Sequence, residues 1–223
     1  LYNMYKIPIS RRAEQLQGGF FLTLAPGLTY DTRDTTINPR HGTLANVKFE
    51  ENIALNNTSY THGKLTGMLK QYMPVASKSS FTLTARAGGN IHGDMPEVMA
   101  YRLGGPYTIR GFKMSGVGTG DAFVMGSAEL NTPLLFLDRI KKVPFFDNLK
   151  LSFFVDAGKM FHPTISDIIY DRPMEAITAG VGIKVYIPGI GPLSVDYGIP
   201  LTNPGANGNK NGYFTFGVGD LTY

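Results

Sequence analysis

Chemistry in a polypeptide usually needs imidazoles, thiols or paired carboxylates at set spacings, and this chain offers few of them. It has no cysteine and four histidines, His41, His62, His92 and His162. All four fall in or near connectors without metal-ligand spacing, which reads as surface or interfacial residues and not as a metal site. No Gly-x-Ser-x-Gly elbow occurs. The run "GVGTG", Gly116 to Gly120, has no strand-to-helix unit after it, so it reads as a flexible loop and not as a phosphate cradle. His92 and Asp94 are close enough to raise an outer-membrane protease or lipase, but nothing else converges on them. Asp31, Arg33 and Asp34 form a dense charge cluster in "YDTRD". The residue that most needs explaining is Arg110, set among glycines and apolar residues in "YRLGGPYTIRGF" (101 to 112) with no catalytic partner beside it.

The elements that must position it are strands. The chain has 223 residues with 43% hydrophobic and only 17% charged, below the roughly 25% charge of soluble domains. It carries 12 Tyr, 14 Phe and 27 Gly, with no Trp. The net charge of +4 is scattered through the chain, too diffuse for a nucleic-acid partner. No window approaches ~18 consecutive apolar residues, so no helix is expected to cross a membrane. Period-2 alternation recurs instead. In "AITAGVGIKVYIP", Ile177, Ala179, Val181, Ile183, Val185 and Ile187 fall on one face, and Thr178, Gly180, Gly182, Lys184 and Tyr186 on the other. In "KLSFFVDAGK" the second face carries Ser152, Phe154, Asp156 and Gly158. A glycine and lysine face does not suit the dry interior of a sandwich; it suits the wet inside of a barrel whose apolar face meets lipid.

Strands are expected over 2–9, 19–33, 42–54, 59–73, 80–92, 121–134, 148–161, 175–188, 192–201 and 212–223, an even number of about ten. The connectors alternate in character. "NPRHG", "PVASKSS" and "PGIGP" are short, whereas "NIALNNTSY", 93–120, 162–174 and "LTNPGANGNKNG" are longer and polar or glycine-rich. Short turns on one side and long loops on the other is the outer-membrane pattern. The connector 135–147 is long on the short-turn side, and its Leu, Phe, Arg and Lys point to a segment at the membrane interface.

With that architecture in place, "YRLGGPYTIRGF" resembles the loop of the BamA and TamA superfamily of outer-membrane assembly and transport barrels, whose inward-folded extracellular loop has an Arg-Gly-Phe tip. "LTYDTRDTTINPRHG" resembles the family's Asp-x-Arg-Asp strand and turn. "GSAELNTPL", "FFVDAGK" and "GVGIKVYIPGIGPLSVDYGIPL" resemble its later strands, in the family's order. The resemblance covers roughly 20 to 223 and implies an all-β, antiparallel transmembrane barrel, with the whole of 1–223 as one barrel domain and no periplasmic helper domain in this chain. It implies that Arg110 contacts the inner wall at Asp156. Alternation places Glu129 on the same wall as a second partner, and a planar guanidinium is best satisfied by such carboxylates. Gly104, Gly105 and Gly111 permit the tight path of the loop and Phe112 anchors its tip. Asp31, Arg33 and Asp34 become a structural cluster near the periplasmic rim.

The implied function is insertion of proteins into, or passage across, the outer membrane of a bacterium, without covalent chemistry or a cofactor. Members of the family are thought to use a weak seam between first and last strands. Here the terminal strand, with Phe214, Phe216, Gly217, Gly219 and Tyr223, is the candidate seam, since Gly212, Gly217 and Gly219 weaken strand packing. Its partners would be outer-membrane lipid and client outer-membrane or secreted polypeptides, with periplasmic helper domains or subunits and self-association left open. One rival is the membrane-anchoring or translocating barrel of a patatin-like autotransporter, which resembles the same fold.

Overall fold

The computed structural model describes residues 20–55, 60–76, 78–134, 149–187, 191–203 and 211–219. These form one antiparallel sheet of eleven strands. They are β1 (Phe21–Leu24), β2 (Gly27–Asp31), β3 (Gly42–Ala54), β4 (His62–Ala76), β5 (Ser79–Gly93), β6 (Tyr101–Leu103), β7 (Gly118–Pro133), β8 (Leu149–Pro163), β9 (Glu175–Ile187), β10 (Gly191–Pro200) and β11 (Tyr213–Val218). The wall runs β1-β3-β4-β5-β7-β8-β9-β10-β11, with β2 also on β3 and β6 on β7. Among the described residues no ladder joins either β1 or β2 to β11.

Alternation in sequence becomes alternation across the wall. Along β8 the side chains of Lys150, Ser152, Phe154 and Asp156 are buried while Phe153 and Val155 are exposed. On β9 Ile177, Val181 and Ile183 are all more than 40% exposed, and Thr178 between them is fully buried. An outer surface this apolar is the lipid-facing band of a barrel, and the inward face carries the polar and small residues.

The structure departs from the sequence expectations at several places. The strand expected over 19–33 is broken at Ala25 and Pro26 into β1 and β2, because proline has no N–H to give the ladder. The two pieces keep one register against β3, Leu24 opposite Glu51 and Gly27 opposite Lys48, and Phe49 donates to the Pro26 carbonyl at 3.0 Å. The connector 93–120 contains a 3-10 turn, Glu97–Met99, and the short strand β6. "GVGTG" is not a flexible loop: Gly118 to Gly120 begin β7, and Val117 is fully buried. The connector 162–174 holds a helix, α1 (Ile165–Tyr170), whose Thr164 and Asp167 form a capping box. His62 lies on β4 and is fully buried, not at the surface, with Nδ1 2.8 Å from the Tyr60 carbonyl. The expected strand 2–9, the interfacial segment 135–147 and Tyr223 lie outside the described residues.

The inside is also drier than expected. Leu103, Ile109, Phe112 and Val117 from the long loop pack with Phe123, Met125, Met160 and Ala176 of the wall into one apolar cluster. Burial of these side chains is what holds the loop inside, at roughly 1.5 to 3 kcal/mol for each large one.

Candidate functional site

The loop between β5 and β7 starts from a wall strand and returns to one. β6 pairs with the start of β7, Tyr101 opposite Gly120. The Tyr101 ring lies 5.0 Å from that of Phe123, its hydroxyl is 2.9 Å from Thr66 Oγ1, and the Lys64 ammonium sits 4.4 Å above its face. Gly104 and Gly105 follow at φ of +111° and +107°. A Cβ on Gly104 would come within 2.6 Å of the Gly116 nitrogen, so no other residue fits this reversal. A tight turn comes next, with the Gly105 N–H donating to the Ile109 carbonyl at 3.1 Å and the Gly104 N–H to Thr108 Oγ1 at 2.9 Å. Arg110 emerges from it into the interior.

There the guanidinium meets Asp156 with two parallel hydrogen bonds, Nε to Oδ2 and Nη2 to Oδ1, both 2.8 Å. The Arg110 backbone N–H adds a third, to Oδ2 at 3.1 Å. Nη1 donates to Glu129 Oε2 at 2.5 Å. Nη2 also reaches Ser127 Oγ at 3.2 Å, and that hydroxyl donates to Asp156 Oδ1 at 2.6 Å. The Phe154 ring lies under the guanidinium, 3.6 Å from its carbon, a stacked cation–π geometry open to arginine's flat head. Asp156 is 0% exposed and Arg110 7%. A charge this enclosed is tolerable only with its partners in place.

Strand register explains the convergence. Ser127 is opposite Asp156 and Glu129 opposite Phe154 across β7 and β8, so all four inward side chains share one patch. Like Ser127 and Phe154, four further residues that complete it were not assigned to the site by the sequence reasoning. Asp196 on β10 is 3.6 Å from Arg110 Nη1. Lys184 on β9 pairs with Glu129, and Asn131 donates to Glu129 Oε1 at 2.8 Å. Gly198 on β10 is met by the loop backbone itself: a Cβ there would lie 2.7 Å from the Gly111 nitrogen, and one on Gly111 2.8 Å from the Gly198 carbonyl carbon. Lys184 was expected on the inward face, and the same parity turns Asp196 inward; which groups they meet depends on how far the strands are staggered, which alternation does not tell. Phe112, the residue after Gly111, is buried in the apolar cluster.

The remaining expected residues are placed separately. Arg33 makes a forked contact with Asp31, at 2.9 and 2.7 Å. Asp34 does not join them; its carboxylate accepts the N–H groups of Thr35 and Arg40, each at 3.0 Å, and holds the turn before β3. Loss of water pushes the Asp34 carboxyl up, but the surrounding N–H groups outweigh it and hold it below its ordinary value. His92 contacts Glu51 at 2.9 Å. Among the described residues no group of three or more His, Asp or Glu is arranged to hold a metal ion. Phe214 and Phe216 on β11 face outward, 67% and 62% exposed, and Gly217 faces inward, as the strand alternation requires.

A β-barrel wall with a loop folded inside and clamped by an arginine is the class of protein defined here. The profile of the Omp85 superfamily domain matches residues 3–220, so the chain belongs to the Omp85 superfamily, the grouping to which its loop and strand motifs pointed. The sorting and assembly machinery component 50 homolog of Xenopus tropicalis is 29% identical over 200 residues, 80% of this chain and 41% of that one. Its Mus musculus counterpart is 28% identical over 218 residues, 88% of this chain and 45% of the relative. Outer envelope protein 80, chloroplastic, of Arabidopsis thaliana is 29% identical over 143 residues, 61% of this chain and 17% of its own. The chain thus spans less than half the length of these relatives. The crystal structure of BamA from Haemophilus ducreyi lacking POTRA domains 1-3 superposes with a TM-score of 0.66 over 87% of this chain and 41% of that one, at 20% identity, which shows the shared fold.

Proposed function

We propose that this barrel inserts proteins into an outer membrane, or passes them across it, by lending the edge of its terminal strand to a client strand. The reading treats 1–223 as one barrel unit of a larger activity and requires no cofactor. The observation that carries it is where the clamp ends. Arg110 and its neighbours tie the loop to β7, β8, β9 and β10, so four adjacent strands share one buried ionic network. β11 lies beyond it, paired with β10 over the six positions from Leu193↔Val218 to Gly198↔Tyr213. A short strand on the far side of a rigid clamp is the part of the wall most easily parted, and its backbone groups can form ladder hydrogen bonds with an extended polypeptide. In lipid each unsatisfied backbone group costs several kcal/mol, so such an edge strongly favours a partner.

The names of the relatives support this reading, two being sorting and assembly components. They come from frog and mouse, with a chloroplast envelope protein beside them, so the membrane proposed is an outer membrane of the family's kind, and a bacterial one is the expectation of the motifs alone. The test is site-specific photocrosslinking in the full-length protein during client insertion. A photoreactive residue at Phe216 should capture the client far more than one at Ile183, on the middle of the wall. Equal capture at both sites would overturn the seam reading.

A further inference from the structure

We propose that the Tyr107 hydroxyl occupies the place of a client backbone at Val218 and is displaced when an extended polypeptide pairs with β11; this rests on the seam reading above. Tyr107 belongs to the inward loop, three residues before the clamping arginine. Its hydroxyl accepts a hydrogen bond from the Val218 N–H at 2.9 Å and donates one to the Val218 carbonyl at 2.8 Å.

Ladder parity says which side of β11 that is. The Gly219 N–H donates to the Pro192 carbonyl at 2.7 Å, toward β10. Backbone groups in a strand alternate in direction, so Val218 points its N–H and carbonyl away from β10, to the edge that a new strand would use. In an antiparallel pair one residue of the incoming strand supplies both an acceptor and a donor to such a position. A single phenolic hydroxyl supplies both from one atom.

The loop is built to deliver it. The Gly105 to Ile109 turn puts Tyr107 at its apex, and the ring passes over Gly217. An added Cβ at Gly217 would lie 2.8 Å from Ser194 Oγ on β10, 3.6 Å from Pro106 Cβ and 3.8 Å from Tyr107 Cε1, so a side chain there would crowd both the wall and the loop. Glycine on the inward face of β11 therefore serves as the floor on which the tyrosine crosses to the edge. The loop contact keeps this edge position satisfied without a client, and a client strand must exchange with it. The partner this fits is an extended peptide backbone, because the groups contacted are one N–H and one carbonyl of the same residue.

The experiment compares the full-length protein with its Tyr107→Phe variant in lipid nanodiscs, probed with a dye-labelled peptide of about ten alternating aromatic and polar residues, long enough for one membrane strand. Folding of each is verified by heat-modifiable mobility. The variant should lose amide-exchange protection at Val218 before peptide is added. It should also bind the peptide about three- to tenfold more tightly, since two hydrogen bonds of modest net worth no longer compete. In the unmodified protein, saturating peptide should raise nitration of Tyr107, read by mass spectrometry. Equal or weaker binding by the variant, with the peptide still crosslinking to β11, would overturn the role of Tyr107 and leave the seam intact; so would nitration unchanged by peptide. Failure of the peptide to reach β11 in either protein would bring down the seam reading and this proposal together.

Discussion

Removing Arg110 should cost more than removing Asp156, although the two are each other's principal partners. The buried patch holds three carboxylates, Asp156, Glu129 and Asp196, against Arg110 and Lys184. Arg110→Ala leaves three acids facing a single lysine. Asp156→Ala leaves two acids and two bases, and the guanidinium still reaches Glu129 at 2.5 Å and Asp196 at 3.6 Å. Breaking a buried pair typically costs ~3 to 5 kcal/mol, which places Asp156→Ala near the lower figure and Arg110→Ala near or above the upper. The double variant should cost about the same as Arg110→Ala alone, a coupling of roughly 2 to 3 kcal/mol. Arg110→Lys should recover only part of the loss, because an ammonium reproduces neither the two-pronged contact nor the stacking on Phe154. The assay is urea unfolding of the full-length barrel in vesicles, followed by heat-modifiable mobility. Costs that simply add, or an Asp156→Ala penalty above that of Arg110→Ala, would refute the charge accounting.

Two further outcomes follow from the arrangement of the wall and the loop. Single cysteines at Ile177, Val181 and Ile183 should react with a lipid-phase reagent, and one at Lys184 with a water-soluble reagent only; equal aqueous labelling of both sets would contradict the placement of the wall in lipid. Gly198→Ala puts a methyl group 2.7 to 2.8 Å from the loop backbone, so it should displace the loop tip, cost ~1 to 3 kcal/mol and loosen amide protection at Arg110. Wild-type stability and protection in that variant would show that the close approach is not needed.

Long strands were legible because a two-residue period survives over a dozen positions. β3 runs over the expected 42–54 itself, and the inward placement of Asp156 and Glu129 came from the same parity. β6 and α1 were not legible, since three and six residues carry too little periodicity to stand out from a loop. The break at Pro26 has a local signal in the missing N–H, but the strand pattern continues on either side of it in one register. Contacts that bridge separate strands were the hardest. Nothing beside Gly198 in the chain announces Gly111, and nothing beside Tyr107 announces Val218, because the strand stagger and the loop's entry angle bring them together. Parity in "LSVDYG" turns Asp196 inward, but only the stagger of β10 against β7 and β8 brings it to the arginine.

The position of the clamp along the chain imposes an order on its assembly. Translation yields Arg110 first, then Ser127 and Glu129 after 17 and 19 residues, Asp156 after 46, and Asp196 later still. The loop is therefore synthesised before most of the wall on which it docks, and it cannot close until strands from the last third of the chain have paired. Non-local contacts of this kind are made slowly, because the intervening chain must be ordered before any of them is gained. Nascent barrel must pass through a stage in which a cationic, glycine-hinged loop is tethered to a growing sheet but not yet seated. Closure of the loop is then a late checkpoint, completed only when β8 and β10 are both in register.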